Sequence, residues 1–181
     1  MIRVAINGFG RIGRSVFRVL NQREEIDLVA INDIFDKEAL VYLLKYDTVM
    51  GRFPGNVELK DDMLTAGEQH VKLISERIPE NLPWKDLGID IVVESTGIFR
   101  QKEQLQKHLD AGCAKVILTV PPKDEIDYMV VLGVNDKGLS KEHQIVSNAS
   151  CTTNCLAPVS YTHLRAHETL RYRVCRLLLE K

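Results

Sequence analysis

The sequence predicts an α/β fold with a doubly wound, mostly parallel sheet. Three observations carry that expectation. Residues 2–6 form a compact apolar run that meets a glycine-rich turn and then a helical pattern. Further apolar, β-branched runs lie at 28–32, 71–74, 89–94 and 115–120. Helical patterns at 37–45 and 102–111 separate them. Strands that alternate with helices pair in parallel, because each helix carries the chain back across the sheet.

Ile2 to Ile6 reads as a buried strand. Asn7-Gly8-Phe9-Gly10-Arg11-Ile12-Gly13 follows it, and Gly8, Gly10 and Gly13 make the G-x-G-x-x-G spacing. The first glycine permits a tight turn, the second lets the backbone approach a pyrophosphate, and the third lets helix pack close to strand. The spacing alone is a weak signal. A strand before it, and Ile12, Val16, Val19 and Leu20 at helical spacing after it, supply the context. The helix N-terminus then faces the cofactor phosphates. Leu28 to Asn32 reads as the second parallel strand, and Asp33 ends it twenty residues beyond Gly13. A dinucleotide fold of the Rossmann type places there the carboxylate that hydrogen-bonds the adenosine ribose hydroxyls. Such a carboxylate repels a 2′-phosphate, which favours NAD over NADP. The plainer alternative is that Asp33 caps the next helix.

That helix is expected over 37–45, with Ala39, Leu40, Leu43 and Leu44 on one side, and a turn-rich loop follows it. Residues 57–75 read as short strands with a turn near Ala66-Gly67. The strand at 89–94 closes on Ser95-Thr96-Gly97, a glycine turn at a carboxyl end, where ligands bind in such sheets. Thr96 and Gly97 are therefore expected cofactor neighbours. A helix over 102–111 ends with Gly112 as its C-cap, which leaves Cys113 a structural role. The strand at 115–120 runs into Pro121-Pro122, and Tyr128 to Asn135 is expected as a further apolar strand.

Gln144-Ile145-Val146 is a short strand that leads into Ser147-Asn148-Ala149-Ser150-Cys151-Thr152-Thr153-Asn154-Cys155. Small hydroxyl and amide residues cap helix N-termini, so Cys151 is expected at a helix start. The positive end of the helix dipole favours thiolate, the form that attacks carbonyls. A lone cysteine in a helical turn is otherwise a small buried hydrophobe. Cys155 falls four residues on, in neither a C-x-x-C nor a zinc pattern, so it reads as structural and no metal site is expected.

This nonapeptide resembles the active-site signature of the glyceraldehyde-3-phosphate dehydrogenase family, in which the first cysteine is the nucleophile. The resemblance runs from Ile2 to Pro158. It implies a catalytic Cys151, with Ser150 and Thr152 helping it to bind the substrate or the attacking phosphate. It also implies an NAD site around Asn7, Gly8, Gly10, Arg11, Ile12, Asp33, Arg77, Thr96, Gly97 and Thr119, with Arg77 contributing a backbone contact at the adenine end. The loop after residue 45 resembles one of the family's, with Met50 where histidine is usual.

The chemistry implied is a two-stage oxidation of glyceraldehyde 3-phosphate. Cys151 forms a thiohemiacetal, hydride passes to NAD, and inorganic phosphate displaces the thiol from the resulting thioester. Erythrose-4-phosphate dehydrogenase shares the nucleophile motif and is the alternative enzyme. A bare NAD-binding module without catalysis is the alternative of another class. Family members are homotetramers.

The expected domains are a Rossmann-type NAD-binding domain over 1–149, the start of the catalytic domain over 150–159, and a tail over 160–181 that departs from the family. The tail is expected to be helical or disordered: Leu164, Leu170, Val174, Leu177 and Leu178 make it compatible with a helix, and a basic membrane-surface helix is a further reading. A full family member is nearly twice this length, so the expectation is a truncated N-terminal part joined to unrelated sequence, of marginal stability. The family's general base is a histidine of the second domain, a position unmatched here. His163 lies twelve residues after Cys151, about 18 Å along a continuous helix, too far for proton transfer, and His167 is farther. Little activity is therefore expected of this chain alone.

Composition is that of an ordinary globular domain. A formal net charge of −1 gives nothing global to attract nucleic acid or an anionic membrane. No apolar run is long enough for a transmembrane span or a signal peptide, and four cysteines in 181 residues do not make a disulfide scaffold, so the cytosol is the expected location.

Overall fold

The structure is a computed structural model, and it describes residues 1–165. Nine strands form one sheet: β1 (Ile2–Asn7), β2 (Ile26–Asn32), β5 (Val57–Lys60), β6 (Met63–Ala66), β7 (Gln69–Ile74), β8 (Ile91–Glu94), β9 (Lys115–Leu118), β10 (Tyr128–Met129) and β11 (Ile145–Ser147). Their order is β10-β11-β9-β8-β1-β2-β7-β6-β5. Pairing is parallel from β10 across to β7, and antiparallel only in the meander of β7, β6 and β5. A small separate ribbon pairs β3 (Tyr46–Asp47) with β4 (Gly51–Arg52). The α-helices are α1 (Arg11–Leu20), α2 (Lys37–Lys45), α3 (Lys102–Asp110) and α4 (Cys151–Ser160), the last running into a π-helical turn, Tyr161–Arg165. No helix among the described residues is long and apolar enough to cross a membrane.

Chain order reverses at β1. β2 pairs on one side of it and β8, which follows much later, on the other. That is the switch point of a doubly wound sheet, where the connections diverge to opposite faces and leave a crevice at the carboxyl ends. Side chains along β1 alternate between two cores. Val4 and Ile6 pack with Phe9, Phe17, Leu28, Leu40 and Leu44 under α1 and α2. Ala5 packs with Trp84, Val92, Leu105, Leu118 and Ile145 under α3. The period-2 alternation of a strand thus feeds both layers.

Three sequence expectations are corrected. The buried face of α1 is Gly13, Phe17 and Arg18, with Val16 and Leu20 half-buried, whereas Ile12 and Val19 are exposed. Arg18 earns burial by donating to the Leu44 carbonyl at 2.5 Å and lying over the Phe53 ring. The strand expected over 128–135 lasts two residues. Beyond Met129 the edge has no second neighbour to pair with, and the Asn135 side chain takes over, accepting from Val131 N–H and donating to Met129 O. Gly133, at φ +78°, completes the turn. The C-cap of α3 is Ala111, and Gly112 follows it at φ +110°. The helix expected for the tail lies outside the described residues beyond Arg165, as does His167.

Candidate functional site

A cavity of about 370 Å³ opens at the switch point, within the size range of a small-molecule site. Its first wall is the β1–α1 turn, through Asn7, Gly8 and Gly10. Its second is the β8–α3 turn, through Ser95, Thr96, Ile98 and Phe99. Its third comes from Asn32 at the end of β2, Asp33 and Ile34 just after it, and Glu76, Arg77 and Pro79 after β7.

The glycines behave as their spacing requires. Gly8 sits at φ +91°, and a Cβ on it would lie 2.6 Å from Thr96 N. A Cβ on Gly13 would lie 2.1 Å from the Gly8 carbonyl oxygen, so helix and turn touch only because that atom is missing. Gly10, which also lines the cavity, has nothing within 4 Å of its would-be Cβ.

The helix N-termini differ in a way that bears on ligand chemistry. Asp36 caps α2, Gln101 and Gln104 form a capping box on α3, and Ser150 caps α4. Gly10, the N-cap of α1, offers no side chain, and the first turn of α1 carries no acid. Its first N–H groups are left for something other than protein, beside a cavity, and the dipole there favours an anion.

Asp33 is not the cap of α2, since Asp36 performs that task by accepting from Ala39 N–H. Asp33 instead clamps the two turns that flank it, accepting from Phe9 N–H at 2.6 Å and Phe35 N–H at 2.9 Å, while lining the cavity. Each oxygen retains a further lone pair. Glu76 brings a second carboxylate to the same wall. Ile34, Pro79, Ile98 and Phe99 add apolar surface suited to a flat ring.

Of the residues expected to hold a cofactor, Asn7, Gly8, Gly10, Asp33, Arg77 and Thr96 line this cavity. Arg11 and Ile12 stand exposed in the first turn of α1, outside the lining. Gly97 is exposed at φ +73° and also lies outside it. Thr119 is outside as well, its hydroxyl donating to the Glu94 carbonyl. Thr96 does not present a free hydroxyl: that group donates to Glu94 Oε1 and accepts from Ile98 N–H. Asn32, Ile34, Glu76, Pro79, Ser95, Ile98 and Phe99 also line the cavity and escaped the sequence reading. Asn32, Ile34, Glu76, Ser95 and Ile98 adjoin residues it did select, and that adjacency was the usable signal.

The cysteine elbow is separate. β11 ends at Ser147, and Ala149 turns the chain at φ +62°, a left-handed conformation uncommon for a residue with a side chain. Its N–H donates to Ser147 Oγ, which itself donates to the Val120 carbonyl. Ser150 Oγ accepts from Thr153 N–H at 3.0 Å, and the Thr152 and Thr153 hydroxyls lie within 3.0 Å and 2.7 Å of it. Asn154 Nδ2 donates back to Asn148 O and Ser150 O. Cys151 is the first residue of α4 and is exposed. Ser150, Cys151 and Thr152 do not line the cavity, although both features lie at the carboxyl edge of the parallel sheet. Cys155, expected to be structural, is exposed, because α4 buries none of its residues. Cys113 is the structural thiol. It is buried, donates to the His108 carbonyl, and is pushed up to about 12 by desolvation.

Comparison with known proteins points to one family. The family model described as "Glyceraldehyde 3-phosphate dehydrogenase, NAD binding domain" matches residues 2–102. The chain is 52% identical over 161 residues to the glyceraldehyde-3-phosphate dehydrogenase of Thermotoga maritima, covering 88% of this chain and 48% of that protein. It is 51% identical over 158 residues to that of Geobacillus stearothermophilus, covering 87% and 47%. It is 49% identical over 160 residues to the cytosolic enzyme of Leishmania mexicana, covering 88% and 48%. The chain therefore spans about half the length of the curated relatives it matches.

Proposed function

The chain belongs to the glyceraldehyde-3-phosphate dehydrogenase family and carries its NAD binding domain, and from that premise we propose that the cavity at the switch point is the NAD site and Cys151 the nucleophile of an aldehyde dehydrogenase. One observation carries the reading: the N-cap of α1 is a glycine, its first turn carries no acid, and this bare N-terminus opens on the cavity that Asp33 lines. Gly8 and Gly10 let the backbone come close to a pyrophosphate, with the N–H groups of Arg11 and Ile12 completing the anion site. Asp33 and Glu76 accept from ribose hydroxyls and repel a 2′-phosphate. Ile34, Pro79 and Phe99 bracket a base. Arg77, Thr96, Gly97 and Thr119 complete the surroundings. NAD, when bound, supplies the hydride acceptor.

The residues of the elbow supply the covalent chemistry. The Cys151 sulfur adds to the carbon of a phosphorylated aldehyde, and loss of hydride leaves a thioester on Cys151. An oxygen of inorganic phosphate then attacks that carbon and expels the sulfur. Ser150 and Thr152 present hydroxyls beside the sulfur to substrate or phosphate. Residues 1–149 form the cofactor domain, and 150–159 open the catalytic one. A cytosolic protein that assembles as the family does completes the reading.

A second reading has its own support. The exposure of Cys151, and of His163 twelve residues along, leaves the sulfur without a built general base among the described residues, so this polypeptide binds NAD while turning over slowly. Calorimetric titration of the 181-residue chain with NAD and NADP, followed by a turnover assay with glyceraldehyde 3-phosphate, NAD and phosphate, tests both readings. NAD binds, NADP binds at least about tenfold more weakly, and turnover falls orders of magnitude below that of full-length relatives. Equal affinity for NAD and NADP overturns the role of Asp33. Family-like turnover overturns the slow-module reading.

A further inference from the structure

Beneath the cavity lies a buried carboxylate that the reaction does not use. Glu94 is fully buried at the end of β8, with no lysine or arginine paired to it among the described residues. Both of its oxygens are saturated. Oε2 accepts from Asn7 Nδ2 at 2.5 Å and from His108 Nε2 at 3.1 Å. Oε1 accepts from the Thr96 backbone N–H at 2.8 Å and from the Thr96 hydroxyl. The tautomer of His108 follows from its other neighbour. Trp84 Nε1–H can only donate, and it lies 3.1 Å from His108 Nδ1. The ring hydrogen is therefore on Nε2, facing Glu94. Asn7 Nδ2, at 3.4 Å from that nitrogen, is a second donor to the same carboxylate rather than a partner of the ring.

The chain of bonds continues outward. Asn7 Oδ1 accepts from Asn32 Nδ2, and Asn32 in turn holds the Glu76 backbone, donating to Glu76 O and accepting from Glu76 N–H. Asn7, Thr96, Asn32 and Glu76 belong to all three walls of the cavity. One carboxylate thus ties together turns that are otherwise remote in sequence, and Trp84 and His108 hold it from behind.

We infer that Glu94 is the positioning residue of the cofactor site. It fixes the spacing between the β1–α1 and β8–α3 turns, and it couples the cavity through His108 to the Trp84 indole. The inference rests on the cavity being the NAD site. Three fixed N–H donors and one hydroxyl face the side chain, so a carboxylate suits it and an amide does not. Glu94→Gln keeps the shape but aims an NH₂ at one or more fixed N–H donors, whichever way the amide is turned, and at least one wall is released.

Trp84 is the chain's single tryptophan, so protein labelled with ¹⁵N-tryptophan gives one indole N–H resonance. In the unmodified full chain that resonance moves on addition of NAD and tracks the calorimetric dissociation constant. In Glu94→Gln it starts from a new position and no longer responds, and NAD binds at least tenfold more weakly. Thr96→Val removes one donor at a half-buried position and, should Glu94→Gln not fold, carries the same test. It weakens NAD severalfold and reduces the response of the indole. A residue with a merely structural role would move the resting indole signal and leave NAD affinity unchanged in folded protein. Unchanged affinity in a folded variant, or an indole unmoved by saturating NAD in the unmodified chain, overturns the inference. If the unmodified chain ignores NAD, the cofactor reading falls as well. If it binds NAD and the folded variants bind equally, the role of Glu94 falls alone.

Discussion

The cavity at the head of β1 and the cysteine elbow at the head of β11 share a sheet edge but are held very differently. The cavity is gripped from three sides by turns tied to buried side chains: Asn7, Asn32, Glu94 and His108 are all less than a tenth exposed. The elbow is tied at its root by Ser147 and Ala149, after which α4 buries nothing and leaves Leu156 and Val159 more than half exposed. A site for a rigid, multiply contacted ligand is prebuilt here. Cys151, the proposed nucleophile, stands exposed on a helix that buries none of its residues. The difference separates two properties that a family signature merges: recognising the cofactor, and reacting.

The largest effect on this contrast comes from Gly13. A methyl at Gly13 meets a backbone oxygen at 2.1 Å, an oxygen that Ser95 Oγ already engages at 2.6 Å, so neither side can yield cheaply. Gly13→Ala destabilises the chain by about 3 kcal/mol or more, or prevents folding. Gly10→Ala points its methyl into open space. Its unfolding free energy, measured by urea, stays within about 0.5 kcal/mol of the parent, and only NAD affinity falls. If both alanine variants melt alike, the cavity is less rigidly built than its contacts imply.

What the sequence disclosed, and what it hid, follows the range of the interactions. The glycine turn, Asp33 and the start of α4 at Cys151 were legible because spacing over a few residues settles them. Even the ambiguity of Asp33 was local, and Asp36 resolved it by taking the cap of α2. Glu76 was hidden because β7 reaches β2 only after the β5–β6 hairpin, and no local pattern says which strand the meander will join. The Glu94 network was hidden for the same reason: Asn7 and Glu94 are 87 residues apart, and Asn7 and His108 are 101. The apolar stripe of α1 was misassigned because a buried arginine took a place that hydrophobicity would deny it. The strand expected at 128–135 failed because an apolar run specifies burial, not pairing, and at the sheet edge the side chain of Asn135 outcompeted the ladder.

The strand beneath the elbow is held by charge, which gives the next effect in size. Asp127 is partly buried, and desolvation raises its pKa, but the hydrogen bond from Lys102 Nζ and the backbone N–H groups of Ile145 and Gln144 outweigh that and hold it at about 2 against a usual 3.8. Its folded pKa is therefore below its unfolded one. The stabilisation is complete above pH 4 and is lost as pH falls towards 2. The shift corresponds to about 2 kcal/mol, an upper figure for a side chain 24% exposed. Asp127→Asn lowers the stability measured by urea at pH 7 by up to that amount and flattens the acid slope below pH 4. An unchanged slope would mean that β11 is held by its pairing with β9 and β10 alone.

The smallest effect isolates the elbow itself. Ser150 Oγ satisfies the Thr153 N–H, and loss of an N-cap oxygen costs about 1 kcal/mol. In a helix with no buried residue that cost has no tertiary packing to absorb it, so it appears as fraying of the first turn of α4 rather than as a lower global midpoint. Ser150→Ala therefore leaves the unfolding free energy measured by urea within about 0.5 kcal/mol while changing the rate at which iodoacetamide alkylates Cys151. Cys155, one turn further in, changes less, and buried Cys113 stays unreacted in folded protein. A shift of the global midpoint by the full amount of the cap would instead show α4 unfolding together with the sheet, and the two regions would then be one cooperative unit.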